Sequence, residues 1–386
     1  MATRLIAAVL FSSAFPALAL AQADTPAPDV PEPQVSAEAA PSFFDVPGLQ
    51  LKAFADAGFT YNGNRPQDQA TANLFHGFDS GTGFGVVWAG LDSSYTLGPG
   101  SLVLDLRVGP GASLFSGPDS AHNLEYVKQL YVSLAYEGFR VDFGKMNTPI
   151  GAEVAESWLN ANYTRGLLCW LAQPFFHTGL RASYSFEDVG SVALYLVNGW
   201  NNSIDNNAGK TFGANISLGS AGLWSASFSY FVGPEQPDML TADDGTTVMD
   251  NDANGRLRHL ADVVLSVTPV EGFTASLNGD FGIESQVDGE SRWYGVAVTG
   301  RYQFLEQWAA AARGEVVVDP QGFLTAVNNQ QLWSGTATLE YAPIEAIILR
   351  LEGRVDRADI SVFPTADGTT TRLQPTVTFG LVGKTS

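Results

Sequence analysis

The sequence predicts an all-β fold: a transmembrane, antiparallel, up-and-down β-barrel of about sixteen strands, with short periplasmic turns and long extracellular loops. Three observations carry this. From Leu49 onward, apolar and polar residues alternate with period two through most of the chain. The connections between the alternating stretches run short, long, short, long. Past the N-terminus, no apolar run approaches the roughly 20 residues of a membrane-crossing helix.

The chain opens with "MATRLIAAVLFSSAFPALALAQA": a basic Arg4, an apolar core from Leu5 to Leu20, then small residues. This reads as a signal peptide over residues 1–23, cleaved after Ala21 or Ala23. Residues 24–42, "DTPAPDVPEPQVSAEAAPS", are rich in Pro, Ala and acids and cannot bury enough apolar surface to fold. They form a periplasmic leader, and residues 43–386 form the barrel.

Strand side chains point to alternate faces, so a strand between lipid and water alternates cleanly. In "FTASLNGDFGIE", Phe273, Ala275, Leu277, Phe281 and Ile283 share one face, while Thr274, Ser276, Asn278, Asp280 and Glu284 share the other. "LQLKAFADAGFTY", "TFGANISLG", "AIILRLEGRVD" and "LQPTVTFGL" repeat the pattern. In "FGVVWAGLDSSY" the parity is ambiguous around Trp88 and Asp92. Short connections fall at "TLGPG", "EG", "FEDVG", "GSAG", "TPVEG", "FLEQ" and "APIEA". Long ones span 62–82, 115–123, 146–177, 199–209, 233–256, 284–291, 319–330 and 357–372. This rhythm places all the short turns, and both termini, on the periplasmic side of an outer membrane. Tyr61, Tyr95, Tyr136, Tyr184, Tyr302, Trp333 and Tyr341 near strand ends suit interfacial girdles. The C-terminal "TFGLVGKTS" lacks the final aromatic that such barrels commonly carry.

A barrel this wide holds water, and parity turns charge inward. Lumen-facing positions are Asp105, Arg107, Arg140, Asp142, Arg181, Asp280, Arg313, Glu315, Arg350, Glu352 and Arg354. The expected function is a porin: passive diffusion of small hydrophilic solutes and ions. A sugar- or anion-selective channel is the alternative, and a barrel enzyme or an adhesive barrel a further one. The long connection over 146–177 is a candidate constriction loop. Folded into the lumen, it would carry Glu153, Glu156 and Arg165 into the pore, with Leu167, Leu168, Trp170, Leu171, Phe175 and Phe176 packed on the wall.

The same region carries a resemblance. "GKMNTPIG" (Gly144–Gly151), "AQPFFHTGLR" (Ala172–Arg181) and "VNGW" (Val197–Trp200) are similar to motifs of the OmpL-like β-barrel porin family of bacterial outer membranes. The likeness implies a porin-like outer-membrane barrel and no particular substrate.

A net charge of −20 argues against nucleic acid as a partner. Outer-membrane lipid, lipopolysaccharide and small solutes are the expected partners, and association as a homotrimer is open. Cys169 is the only cysteine, so no intrachain disulfide forms. No G-x-S-x-G elbow occurs, and the four histidines (His76, His122, His177, His259) suggest no triad, so no enzyme is expected. "DDGTTVMDNDANG" (Asp243–Gly255) has the composition of a calcium loop without its spacing, and no cofactor or metal is expected.

Overall fold

The computed structural model describes residues 46–186, 189–220, 222–241, 248–250 and 252–385. The expected signal peptide and leader lie outside the described residues. Sixteen strands close into one antiparallel barrel. In chain order they are β1 (Leu49–Asn62), β2 (Gly83–Leu97), β3 (Gly100–Val108), β4 (Val127–Tyr136), β5 (Phe139–Asn147), β6 (Phe176–Phe186), β7 (Gly190–Val197), β8 (Thr211–Ser220), β9 (Trp224–Pro234), β10 (Leu257–Val270), β11 (Phe273–Gln286), β12 (Gly289–Leu305), β13 (Trp308–Asp319), β14 (Gln330–Ile344), β15 (Ile347–Ala358) and β16 (Leu373–Lys384). Pairing of β1 with β16 seals the ring, which leaves no strand edge to meet lipid. No helix among the described residues is long and apolar enough to cross a membrane.

Alternation dictates facing. On β15, Leu351 and Val355 are exposed on the outer wall, while Arg350, Glu352 and Arg354 are buried inside. On β8, Phe212, Ile216 and Leu218 face out and Asn215 faces in. Tyr95, Tyr136, Tyr184 and Tyr302 are exposed near the short turns, Tyr61 and Trp333 near the loops. Tyr341 stacks on Trp308 at 4.5 Å near a short turn. The Glu137–Gly138 turn between β4 and β5 has positive φ at both residues (44° and 81°), the type I′ twist that suits a two-residue hairpin.

Two β-bulges change the facing that simple parity predicts. On β2, Asp56 pairs with Trp88 but Ala57 with Val86, so Val87 is an extra residue. Phe84 and Val86 then face out while Trp88 is buried inside, which explains the ambiguous parity of this stretch. On β4, Asp105 pairs with Gln129 but Leu106 with Val127, so Lys128 is the extra residue. A bulge re-aims a side chain, and here it lets neighbouring Lys128 and Gln129 both reach inward partners.

The expected long connection at 284–291 is not one. β11 and β12 stay paired out to Gln286 and Gly289, so only Val287 and Asp288 connect them. Polar residues on both faces of this hairpin tip read as loop, although the backbone ladder continues. The interior is also less uniformly polar than parity predicts. Toward the loop end, Trp88, Phe231, Leu260, Trp293, Val317 and Leu332 point inward and join Phe75, Phe115, Leu324 and Phe363 from the loops in one apolar core.

Candidate functional site

The segment between β5 and β6, residues 148–175, leaves the loop end and lies inside the barrel, where its polar groups meet inward-facing side chains of many strands. Glu153 pairs with Arg313 of β13 at 2.6 Å and accepts the Gly166 backbone N–H at 2.7 Å. Glu156 pairs with Arg107 of β3 at 2.7 Å and Lys128 of β4 at 2.6 Å. Ser157 and Tyr163 donate to the two oxygens of Asp56 on β1, at 2.7 and 2.6 Å. Asn162 donates to Thr338 of β14 at 2.7 Å. The backbone N–H groups of Tyr163 and Thr164 reach Glu352 of β15, at 2.6 and 3.1 Å.

Further backbone groups are satisfied in the same manner. Arg350 donates to the carbonyls of Ser157 and Asn162, Arg354 to that of Arg165 at 2.8 Å, and Arg313 to that of Thr164 at 2.7 Å. Glu315 accepts the Leu168 N–H at 3.1 Å. Gln173 donates to Asp280 and Asn278 of β11. A buried segment that is irregular over most of its length must find partners for its orphaned N–H and C=O groups, and the charged inner wall supplies many of them. Arg165 donates to the Tyr163 carbonyl at 2.7 Å and its guanidinium lies over the Phe78 ring at 4.1 Å, so it is buried against the loop following β1. The short helix Leu167–Ala172 carries Leu167, Leu168, Trp170 and Leu171 into the apolar core.

Burial pushes Glu156 toward its neutral form, but Lys128 and Arg107 overcome this and hold its carboxyl down at about 2. The carboxylate therefore stays charged and tied to both cations at neutral pH. Burial also pushes the Cys169 thiol well above its ordinary range.

Seven of the predicted lumen positions thus contact the segment: Arg107, Asp280, Arg313, Glu315, Arg350, Glu352 and Arg354. The other four do not. Asp142 lies between Arg140 and Arg181, each bonded through Nε at 2.7 Å, and also accepts the Ser133 hydroxyl. Asp105 accepts from Gln129. These four lie toward the short turns, where inward-facing Gln50, Lys52, Ser185, Ser225, Thr274 and Gln303 are exposed to the lumen.

Sequence reasoning missed several partners. Lys128 was hidden by the bulge. Glu340, between Arg301 and Arg350, has inward parity but joins three separate strands. His76 bonds Asp79 through Nδ1 (2.6 Å) and Asp356 through Nε2 (2.7 Å), uniting the loop after β1 with β15. His177 donates from Nδ1 to the Gly199 carbonyl at 2.9 Å and accepts the Thr148 hydroxyl at Nε2, 3.0 Å, so both ring nitrogens are engaged. His259 bonds Tyr230 on the outer wall. Among the described residues no group of three or more His, Cys, Asp or Glu side chains is placed to hold a metal, and the Asp243–Gly255 stretch lies partly outside them.

A family model described as "Putative beta-barrel porin-2, OmpL-like" matches residues 48–384. Among solved structures the fold is similar to OmpF of Salmonella typhi in complex with daunomycin (TM-score 0.58, 13% identity, covering 87% of this chain and 97% of that one). It is similar to in-vitro folded OmpT of Vibrio cholerae in its trimer form (TM-score 0.57, 12% identity, 87% and 99% covered). It is similar also to an anion-selective porin from Comamonas acidovorans (TM-score 0.53, 10% identity, 87% and 99% covered). At these identities the likeness shows the fold. No curated protein matches the chain.

Proposed function

The chain belongs to the OmpL-like beta-barrel porin-2 family and is an outer-membrane channel protein; from that premise we propose that it passes small hydrophilic solutes and ions by passive diffusion, through a lumen narrowed by residues 148–175. The observation that carries this reading is the path of the segment. It crosses from Arg107 and Lys128 on β3 and β4 to Arg313 on β13 and Glu352 on β15, so permeating solutes must pass beside it. Glu153 and Glu156 are the acidic groups of this constriction, and Arg165 packs its outer side.

Both ends of the barrel strand set, Leu49 and Lys384, lie at the short-turn end. In barrels of this kind short turns are periplasmic, which supports periplasmic termini and an export signal over residues 1–23. The apolar outer wall supports outer-membrane lipid and lipopolysaccharide as surroundings, and the trimer form of the similar OmpT supports a homotrimer. The engaged ring nitrogens of His76 and His177 leave neither as a free general base, which supports a channel without enzymatic activity.

Swelling of proteoliposomes in sugars of increasing size tests diffusion directly. Vesicles carrying the barrel are expected to swell rapidly in small monosaccharides and progressively more slowly in larger oligosaccharides. Swelling rates equal to those of protein-free vesicles for every sugar would overturn the reading.

A further inference from the structure

Although the chain carries a net charge of −20, most of the water-facing charges in the short-turn third of the lumen are cationic. Asp142 is fully covered beneath two arginines, while the Arg140 side chain is 40% exposed and that of Arg181 18%. The same arrangement recurs across the barrel. Glu340 accepts Arg301 at 2.6 Å on one oxygen and Arg350 at 2.5 Å on the other; its side chain is 11% exposed, whereas that of Arg301 is 32% exposed. Each unit is one carboxylate bridging two guanidinium groups. Each therefore keeps one positive charge in excess, and the exposed member is an arginine. The Arg181 guanidinium also lies near the Tyr131 ring, 5.9 Å from its centroid, which holds it at the wall.

Position in the ring makes these units work together. The first sits on β5 and β6, the second on β12, β14 and β15, half the circumference away in a closed ring of sixteen strands. Both lie close to the short turns. Of the exposed acids at this end, Asp92 is answered by Lys52 opposite it in register and by Arg107 at 2.6 Å, while Glu137, Glu271, Glu306 and Glu345 stand in the short turns at the rim, beyond the ends of the strands. We propose that these two carboxylate-bridged arginine pairs form an anion-attracting vestibule that makes the channel select small anions, carboxylates and phosphate among them, over cations. This inference rests on the channel reading above.

The overall negative charge does not cancel this field. Many of the acids lie in the long loops, about 25 Å away across the apolar belt. The Debye length is about 10 Å at 0.1 M salt, so exposed loop charges are largely screened at the vestibule. Charges lining a confined cleft with low-dielectric walls are screened less, and they raise the local concentration of counter-ions. Guanidinium groups are also the cations best matched to planar oxyanions, which they bind through paired N–H donors.

The test is the reversal potential of the channel under a KCl gradient in planar bilayers, with the full mature chain, followed by addition of sodium phosphate. Wild type is expected to favour chloride over potassium, with phosphate on the short-turn side reducing the chloride current. The double variant Arg140→Gln/Arg181→Gln is expected to lower the chloride preference by about half, as charge rings tune selectivity. Asp142→Asn, which keeps both arginines and removes the bridging charge, is expected to raise it. Heat-modifiable gel mobility shows whether each variant folds. Potassium preference in wild type, or the same reversal potential in wild type and in the folded Asp142→Asn variant, overturns the proposal while leaving a channel. Absence of any current overturns the channel reading and the vestibule with it.

Discussion

Gly58 and Gly380 face each other across the seam where β1 meets β16, and the Tyr163 ring fills the space they leave. A Cβ on Gly380 would lie 2.2 Å from Cε2 of that ring. Gly380→Val should therefore displace Tyr163 and weaken its bond to Asp56. Overpacking of this kind costs about 1–3 kcal/mol, visible as a lower thermal midpoint in detergent. Gly335→Val is the matched control, since a Cβ there meets open space on the outer wall; its midpoint should hold. Two further residues make stability depend on pH in opposite directions. Lys128 and Arg107 hold Glu156 at about 2, against an ordinary 4.5. Its contribution is fully present above pH 4.5 and is lost as pH falls from there toward 2. Carboxylates only accept, so the two-sided bonding of His76 requires a proton on each ring nitrogen. Burial and Arg354 push that imidazole toward neutrality, but Asp79 and Asp356 outweigh them and raise its pKa above 6.5. Its contribution is present below pH 6.5 and is lost as pH rises through the raised value. Thermal midpoints across pH should fall at both ends, with Glu156→Gln flattening the acid limb and His76→Gln the alkaline one. Limbs unchanged by these substitutions would assign the pH dependence to other groups.

At the scale of a strand, β11 exposes the logic most plainly. Leu277 faces lipid and Asp280 faces inward. Leu277→Arg should destabilise the barrel by about 2–4 kcal/mol if the site lies at the bilayer midplane. Asp280 is paired in register with Asp262 on β10, which sets two carboxyls directly opposite each other. Asp280→Asn should thus be neutral or raise stability by up to about 1 kcal/mol, as read by urea unfolding in detergent. Loss of stability in that variant would mean that the two carboxyls share a favourable contact. The facing of β11 was legible because lipid on one side and polar groups on the other impose a strict period of two. The same signal failed where a bulge inserted Val87 or Lys128, because one extra residue reverses parity without altering composition. It failed again at Gln286 to Gly289, where a paired hairpin extends beyond the apolar belt and nothing selects apolar side chains. The length and mixed composition of residues 148–175 marked them as unusual. Their individual partners were not legible, because Asp56, Lys128, Asn278 and Glu352 come from strands far apart in sequence, and only closure of the ring brings them to one segment.

For the molecule as a whole, ring closure and the inserted segment belong together. The wall presents charged side chains inward, and the segment uses many of them as partners for backbone groups that lipid-free burial would otherwise leave unpaired. The short-turn third leaves Lys52, Arg140 and Arg301 exposed on its inner face, and this is the end at which we place the anion-attracting vestibule. Single-channel conductance in planar bilayers, for wild type and for a chain shortened within residues 152–162, tests this account most directly. Removing that stretch takes away the ties to Glu156 and Asn162 while leaving the barrel strands intact. The account predicts a larger unitary conductance in the shortened channel, with heat-modifiable mobility retained. Equal conductance in the two proteins, both folded, would contradict it and place the path of permeating ions away from the segment.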